Sequence, residues 1–383
     1  MPMERQAGLY VHVPFCHRKC GYCSFYSCVP GAGDTERFRS AILAQMRRVS
    51  KQAEVRCLSF STIFFGGGTP SLLPPSVLIE LLSNLRHLFS FSTPDPEITV
   101  EVNPGTVDRA ALLELRRAGF NRLSFGVQSL VDSELAALGR IHTSQDAGAG
   151  IIAARQAGFD NLSFDLMYGL PRQTAASWRK TLDLALNFQP KHLSMYELTL
   201  EEGTPIARQA QADSRFLPPE EEVLTMMAVT EAAIAGTALQ RYEISNYAEP
   251  GYQCRHNVNY WHNGFYVGLG PGAVSAFNGA RRTAVTDLDR FCRCTALDLP
   301  VWEDVERLDR EAAFRETVVV GLRLLRGVSV TVLINRFGLD PVTYYGPVLD
   351  RLVEQGLVQF QQDRLCLTSK GLPVANRVMV ELV

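Results

Sequence analysis

Cys16-His17-Arg18-Lys19-Cys20-Gly21-Tyr22-Cys23 places three cysteines within eight residues near the start of a 383-residue chain. The spacing, C-x3-C-x2-C, governs how the rest is read. A structural zinc site needs four ligands in tetrahedral closure. The candidates for a fourth here are Cys28, or Cys292 and Cys294 folded back from far along the chain. Three thiolates suit an iron–sulfur cubane in which the protein holds three irons and leaves one open to another ligand. Cluster, zinc and inert burial are the alternatives, and so short and polar-flanked a loop favours the cluster.

Working outward, the composition is that of a globular protein. Hydrophobic residues make up 46% of the chain, enough for one large domain and a smaller one. Net charge is −2 and the isoelectric point is near 6.4, so no overall basic field argues for nucleic acid or an anionic membrane. The opening MPMERQAGLYVHVPF has no apolar signal core, and no run approaches the roughly 18 apolar residues of a membrane-spanning helix. The expected location is the cytoplasm. Nine cysteines in a reducing compartment disfavour a disulfide framework. Cys57 and Cys366, in the apolar contexts RCLSF and RLCLT, are expected to be buried fillers, as by default is Cys28.

Six β-rich runs follow one another: residues 9–15, 61–68, 97–104, 122–128, 161–169 and 192–199. Segments with helical patterning separate them, among them FRSAILAQMRRVS, PPSVLIELLSNLRHLF and TAASWRKTLDLALNF. Alternation of this kind predicts an α/β fold with a parallel sheet, and six units predict a partial (β/α)6 barrel rather than a closed eightfold one. The expected divisions are a barrel over 1–237, an irregular or short-stranded connecting region over 238–300, and a smaller winged-helix-like α+β module over 301–383. The module's charges are mixed, which favours packing over DNA binding.

In a barrel the functional face lies where strands give way to loops. The first strand there runs into the cysteine loop, the second into Gly66-Gly67-Gly68-Thr69-Pro70, the third into Glu101-Val102-Asn103-Pro104 and the fourth into Gln128-Ser129, while the fifth carries Asp165. Glycines without side chains let a ligand approach the backbone closely, although a plain tight turn accounts for them equally. Glu101 and Asp165 can accept hydrogen bonds from hydroxyls or an amine, or cap helices.

With these blocks assembled, CHRKCGYC resembles the signature of the radical S-adenosylmethionine (SAM) superfamily, in which SAM occupies the open iron of a [4Fe–4S] cluster. YVHVPFC, FFGGGTPSLL, EVNPGTVD, RLSFGVQSL, LGRIHT, DLMYGLPRQT, SMYELTLEEGTPI, YEISNYAEPG and RHNVNYW resemble the successive blocks of the oxygen-independent coproporphyrinogen oxidase-like group. The resemblance covers nearly the whole chain. Two readings compete within that group: the oxidase that decarboxylates coproporphyrinogen III, and the HemW-type heme chaperones, which bind heme and hand it to respiratory hemoproteins. The oxidases carry a further cysteine two positions past the third, where Phe25 stands here, and an extension before the first strand, where this chain has eight residues before Leu9. Both departures favour the chaperone reading, with capacity to cleave SAM and no coproporphyrinogen III dehydrogenation.

Carried over by position, the resemblance puts the cluster on Cys16, Cys20 and Cys23, and SAM on Tyr10, Tyr22, Gly67, Gly68, Thr69, Glu101, Gln128, Arg140 and Asp165. Arg140 would pair with the SAM carboxylate and the acids would take ribose hydroxyls. His256-Asn257-Val258-Asn259-Tyr260-Trp261 is similar to the H-N-x-x-Y-W motif associated with heme in the chaperones, which makes His256 the candidate axial ligand. Gly21 and Ser24 stand where the chaperones commonly have Pro and Asp. The implied partners are heme and recipient respiratory hemoproteins, with no nucleic acid and with room for a peripheral membrane encounter.

Overall fold

The computed structural model describes residues 5–383; residues 1–4, the start of the stretch read for a signal core, lie outside the described residues. Six parallel strands stand side by side in chain order: β1 (Arg5–Val13), β2 (Leu58–Gly67), β3 (Glu97–Val102), β4 (Arg122–Gln128), β5 (Asn161–Tyr168) and β6 (His192–Glu197). The helices Asp34–Val49, Pro75–Leu88, Arg109–Ala118, Ser144–Gln156 and Ala175–Asn187 return the chain between them. Their starts are written locally. Asp108 accepts the Ala111 N–H, and Thr143 and Thr174 form capping boxes with Asp146 and Ser177.

Side chains alternate across a strand, and here the two faces differ in chemistry. Val11 and Val13, Ile63 and Phe65, Ile98 and Val100, Leu123 and Phe125, Leu162 and Phe164, and Leu193 join one buried apolar cluster with the helices. The intervening residues, including Tyr10, Thr62, Glu101, Arg122, Ser124, Asp165 and Ser194, are polar, and most of them line an internal cavity. One face of each strand makes the core and the other makes a polar lumen, the partial (β/α)6 barrel.

The region after residue 238 contributes to both sheet edges. β7 (Gln240–Arg241) and β8 (Asn246–Ala248) add antiparallel beside β6. β9 (Phe265–Leu269) pairs parallel with β1, followed by β10 (Val274–Phe277), β11 (Ala280–Ala284) and β12 (Trp302–Glu306), giving a twelve-stranded sheet. The HNVNYW segment lies on the helix Arg255–Trp261. That helix has no cap of its own. Glu97, first residue of β3, accepts the N–H groups of Arg255 and His256, each at 3.0 Å, and clamps the helix to the barrel.

The C-terminal module has the helices Arg310–Gly321, Val330–Phe337, Pro341–Tyr345, Pro347–Glu354 and Ala375–Val380. A small sheet, β13 (Val328–Ser329), β14 (Val358–Gln361) and β15 (Arg364–Leu367), forms the wing. Phe314, Val318, Leu333, Leu352, Leu365 and Val378 form its own core. Backbone bonds from Ile244 N–H to Arg323 and from Leu325 N–H to Tyr242, both 3.1 Å, tie it to the barrel, and Arg323 lies over the Trp261 ring.

Cys366 is buried as expected, but Cys57 is exposed. It follows the single helical turn Ala53–Arg56 and precedes β2, so its apolar neighbours in sequence enter the core while it does not. Cys28 is half-buried rather than buried.

Replacing Glu97 by Ala leaves two helical N–H groups without their charged acceptor. The expected loss is about 2–3 kcal/mol, read as a lower guanidinium midpoint for the ligand-free protein. A wild-type midpoint would contradict the clamp.

Candidate functional site

The strand ends and the loops that follow them enclose a cavity of about 520 Å³. Every residue selected from the sequence lines it: Cys16, Cys20 and Cys23; Tyr10 and Tyr22; Gly67, Gly68 and Thr69; Glu101, Gln128, Arg140 and Asp165; and His256. Asn103, Arg122, Ser124, Tyr196 and Tyr260 line it as well.

The cysteine loop is anchored at its base. Cys28 N–H donates to the Pro14 carbonyl at 2.7 Å and Cys16 N–H to the Cys28 carbonyl at 2.9 Å. Cys28 thus closes the loop through its backbone. Cys16, Cys20 and Cys23 are free thiols, each partly exposed. Burial pushes the Cys23 thiol above its ordinary pKa, opposed by the Phe25 N–H. Cys292 and Cys294 pack instead with Ala41, Val285 and Phe291, and do not line the cavity. Among the described residues no three His, Cys, Asp or Glu side chains converge as a single metal ion requires. A cluster makes no such demand, since its thiolates bind different irons.

A hydrogen-bonded chain links two of the thiols. Arg140 Nη1 lies 3.6 Å from Cys20 Sγ, and its Nη2 donates to Asn103 Oδ1 at 2.9 Å and to the Gly126 carbonyl at 2.8 Å. Asn103 Nδ2 donates to Thr69 Oγ1 at 2.8 Å, and Thr69 Oγ1 is 3.6 Å from Cys16 Sγ. Arg140 Nε is buried without a partner. A guanidinium so placed orients the Cys20 side chain and leaves one N–H free for a further acceptor.

The glycines serve the protein's own packing as much as any ligand. Gly67 has φ +112°, and a Cβ there would lie 2.6 Å from the His12 ring. A Cβ on Gly68 would meet the Phe15 carbonyl at 2.6 Å and Cys16 Sγ at 3.1 Å. Gln128 holds a left-handed φ of 65° at the end of β4, a costly conformation for a side-chain-bearing residue at a cavity wall.

Glu101 and Asp165 cap no helix. Glu101 accepts the Gly67 N–H at 3.2 Å, and Asp165 accepts the Ser124 hydroxyl at 3.1 and 3.2 Å. Burial, reinforced by Asp165, raises Glu101 to about 8. Burial also raises Asp165. His256 is buried; its Nδ1 meets Thr62 Oγ1 at 2.7 Å, its Nε2 meets Tyr260 Oη at 2.9 Å, and its ring stacks on Phe64. Burial, aided by Arg122, lowers it to about 3, so the imidazole is neutral.

The residues present fit a cluster with SAM. Three free thiols line one cavity, two of them tied to a guanidinium-bearing frame, an orphaned N–H lacks an acceptor, and half-buried acids can accept from hydroxyl or amine donors. For heme, His256 offers a neutral imidazole whose Nε2 is held by Tyr260.

Comparison with known proteins gives the same outline. Residues 10–185 match the Radical SAM superfamily, and 308–374 match the HemN C-terminal domain. The chain is 38% identical over 380 residues to the heme chaperone HemW of Escherichia coli (strain K12), covering 97% of each. It is 32% identical over 369 residues to the heme chaperone HemW of Bacillus subtilis (strain 168), covering 96% of this chain and 97% of the relative. The coproporphyrinogen III oxidase HemN of Escherichia coli superposes with a TM-score of 0.86 at 24% identity, over 99% of this chain and 90% of that one, and so shares the fold.

Anaerobic reconstitution should load about four irons per chain, and Cys20→Ala should abolish the loading; a stoichiometric zinc would overturn the assignment. Glu101 has a second, pH-linked consequence. Its folded pKa exceeds the ordinary 4.5, so the stability it contributes is complete below 4.5 and is lost as pH rises toward 8. The ligand-free protein should therefore lose stability across that window, less steeply in Glu101→Gln. Parallel profiles would refute the buried, protonated carboxyl.

Proposed function

The chain belongs to the HemW heme-chaperone family of the radical SAM superfamily, and on that premise we propose that it binds heme and delivers it to respiratory hemoproteins. Membership of the superfamily brings a [4Fe–4S] cluster and SAM as cofactors. In our reading Cys16, Cys20 and Cys23 hold the cluster, and Tyr10, Tyr22, Gly67, Gly68, Thr69, Glu101, Gln128, Arg140 and Asp165 surround SAM. When bound, such a cluster supplies one-electron chemistry to the sulfonium. The protein's part is to orient and to exclude water. Arg140 and Thr69 fix two of the cysteine side chains, the glycine turn presents backbone, and Tyr10, packed against Phe64 and hydrogen-bonded to His12, walls the lumen.

The observation that carries the chaperone reading is similarity along the full chain to proteins named heme chaperones, cluster loop and C-terminal module included. Phe25 supports it. It stands where the oxidases have a cysteine, and it is 67% exposed at the cavity rim. Heme is the first partner, reached through His256 once the Tyr260 hydroxyl turns aside. Recipient respiratory hemoproteins are the second, met by a cytoplasmic protein through peripheral membrane contact. No helix among the described residues is long and apolar enough to cross a membrane.

Heme added to the reconstituted protein should bind saturably with a Soret band. Coproporphyrinogen III with SAM and a reductant should give no protoporphyrinogen; vigorous decarboxylation would reverse the assignment in favour of the oxidase. His256→Ala should shift or abolish the Soret band, while Tyr260→Phe, which frees Nε2, should preserve it. An unchanged His256→Ala spectrum would remove His256 as ligand.

A further inference from the structure

Neither ring nitrogen of His256 is free to take a metal. Nδ1 meets Thr62 Oγ1 at 2.7 Å and Nε2 meets Tyr260 Oη at 2.9 Å. Thr62 belongs to β2 and is 1% exposed, so it is fixed with the sheet. Tyr260 is half-buried and lines the cavity, which makes it the partner that can leave. Whatever seats Tyr260 therefore decides when Nε2 can act as a ligand.

Tyr260 is wedged between two rings. Its centroid lies 4.9 Å from that of His256 and 4.7 Å from that of Tyr266 on β9, edge to face with the tyrosine at 85°. Arg281 of β11 stands by Tyr266: burial raises the Tyr266 phenol, and the guanidinium opposes the rise. On the helix side, the turn after Tyr260 is closed by Asn263, which has a left-handed φ of 47° and donates its backbone N–H to the Tyr260 carbonyl at 2.8 Å.

One carboxylate of the C-terminal module reaches both sides. Glu316, on the helix Arg310–Gly321, pairs through Oε1 with Arg281 and accepts from Asn263 Nδ2 through Oε2 at 3.2 Å. The pair is partly sheltered, with the Glu316 side chain 24% exposed and that of Arg281 34%. Thr317 Oγ1 accepts from the same Asn263 amide at 2.9 Å, while Arg281 has a looser second partner in Glu306 at 3.4 Å. The strand that backs Tyr266 and the turn that follows Tyr260 thus meet at a residue belonging to neither.

We infer that Glu316 is a positioning residue for heme: by holding Arg281 and Asn263 together it keeps Tyr260 seated on His256 Nε2, and heme gains the imidazole when the module releases that grip. The inference rests on His256 as the heme ligand and adds that the C-terminal module governs its availability. A hydrogen bond between neutral groups is weak enough for an iron–imidazole bond to replace once the tyrosine can move.

Heme uptake by the full chain is followed by stopped-flow absorbance at the Soret band. Glu316→Ala and Arg281→Gln should each take up heme about fivefold faster than wild type, the worth of one hydrogen bond, with the saturated Soret maximum unmoved because the ligand is the same. Tyr260→Phe should gain about as much, and adding Glu316→Ala to it should gain nothing further. Arg326→Gln, which cuts the module's contact with His262 and touches neither side of the grip, should keep the wild-type rate. If Glu316→Ala fails to fold, Glu316→Gln, which keeps a hydrogen-bond acceptor for Asn263 and loses the charge pair, carries the comparison with Arg281→Gln. Wild-type rates in both variants, gains that add to that of Tyr260→Phe, or an equal gain in Arg326→Gln would overturn the role of Glu316 and leave His256 as ligand. Absence of heme binding by wild type, or an unchanged His256→Ala spectrum, would overturn the ligand assignment and this inference with it.

Discussion

The site depends on Arg140. Its guanidinium spans the gap between the loop that carries the cysteines and the strand ends that carry the rest of the cavity wall, reaching Cys20, Asn103 and Gly126 together. Through Asn103 and Thr69 the same frame arrives at Cys16. Two thiols of one loop are thus held from outside it by residues just after β2 and β3, by β4 and by the segment after β4. A short loop has little core of its own to fix it, and hydrogen bonds to charged groups are the stronger kind. The arrangement ties the cysteine loop and the cavity wall together.

The polar lumen gives this unit its setting. Burying Glu101, Asp165, Arg122 and His256 on the inner face of a parallel sheet is unfavourable unless each finds a partner or a neutral form. The protein uses both routes: hydroxyls and backbone N–H groups satisfy the acids, while burial keeps the imidazole uncharged. Among the cavity-lining side chains, Arg140 Nε and Arg122 Nε stay without partners.

Much of this was legible in the sequence. The six strands and their helices announced themselves through β-rich runs and helical patterning, and C-x3-C-x2-C predicted a site before any contact was known. The blocks at the strand ends converge because parallel connections bring all carboxyl ends to one face. The missed residues depended on register. Asn103 is one polar residue among many until β3 is set beside Thr69 and Arg140, and Glu97 looks like an ordinary strand acid until the helix Arg255–Trp261 docks on it. Arg122 begins an apolar strand, where an arginine is easily taken for a solvated end; pairing with Thr99 and Asn161 buries it. Cys57 went the other way, its apolar neighbours being the start of β2 rather than its own surroundings.

The account stands on an iron that the polypeptide leaves for SAM. Electron paramagnetic resonance of the reduced, reconstituted protein, recorded with and without SAM, addresses it most directly. Binding of SAM at the open iron should change the g-values and line shape of the cluster signal. Superimposable spectra, from a sample shown to contain a full cluster and saturating SAM, would contradict it.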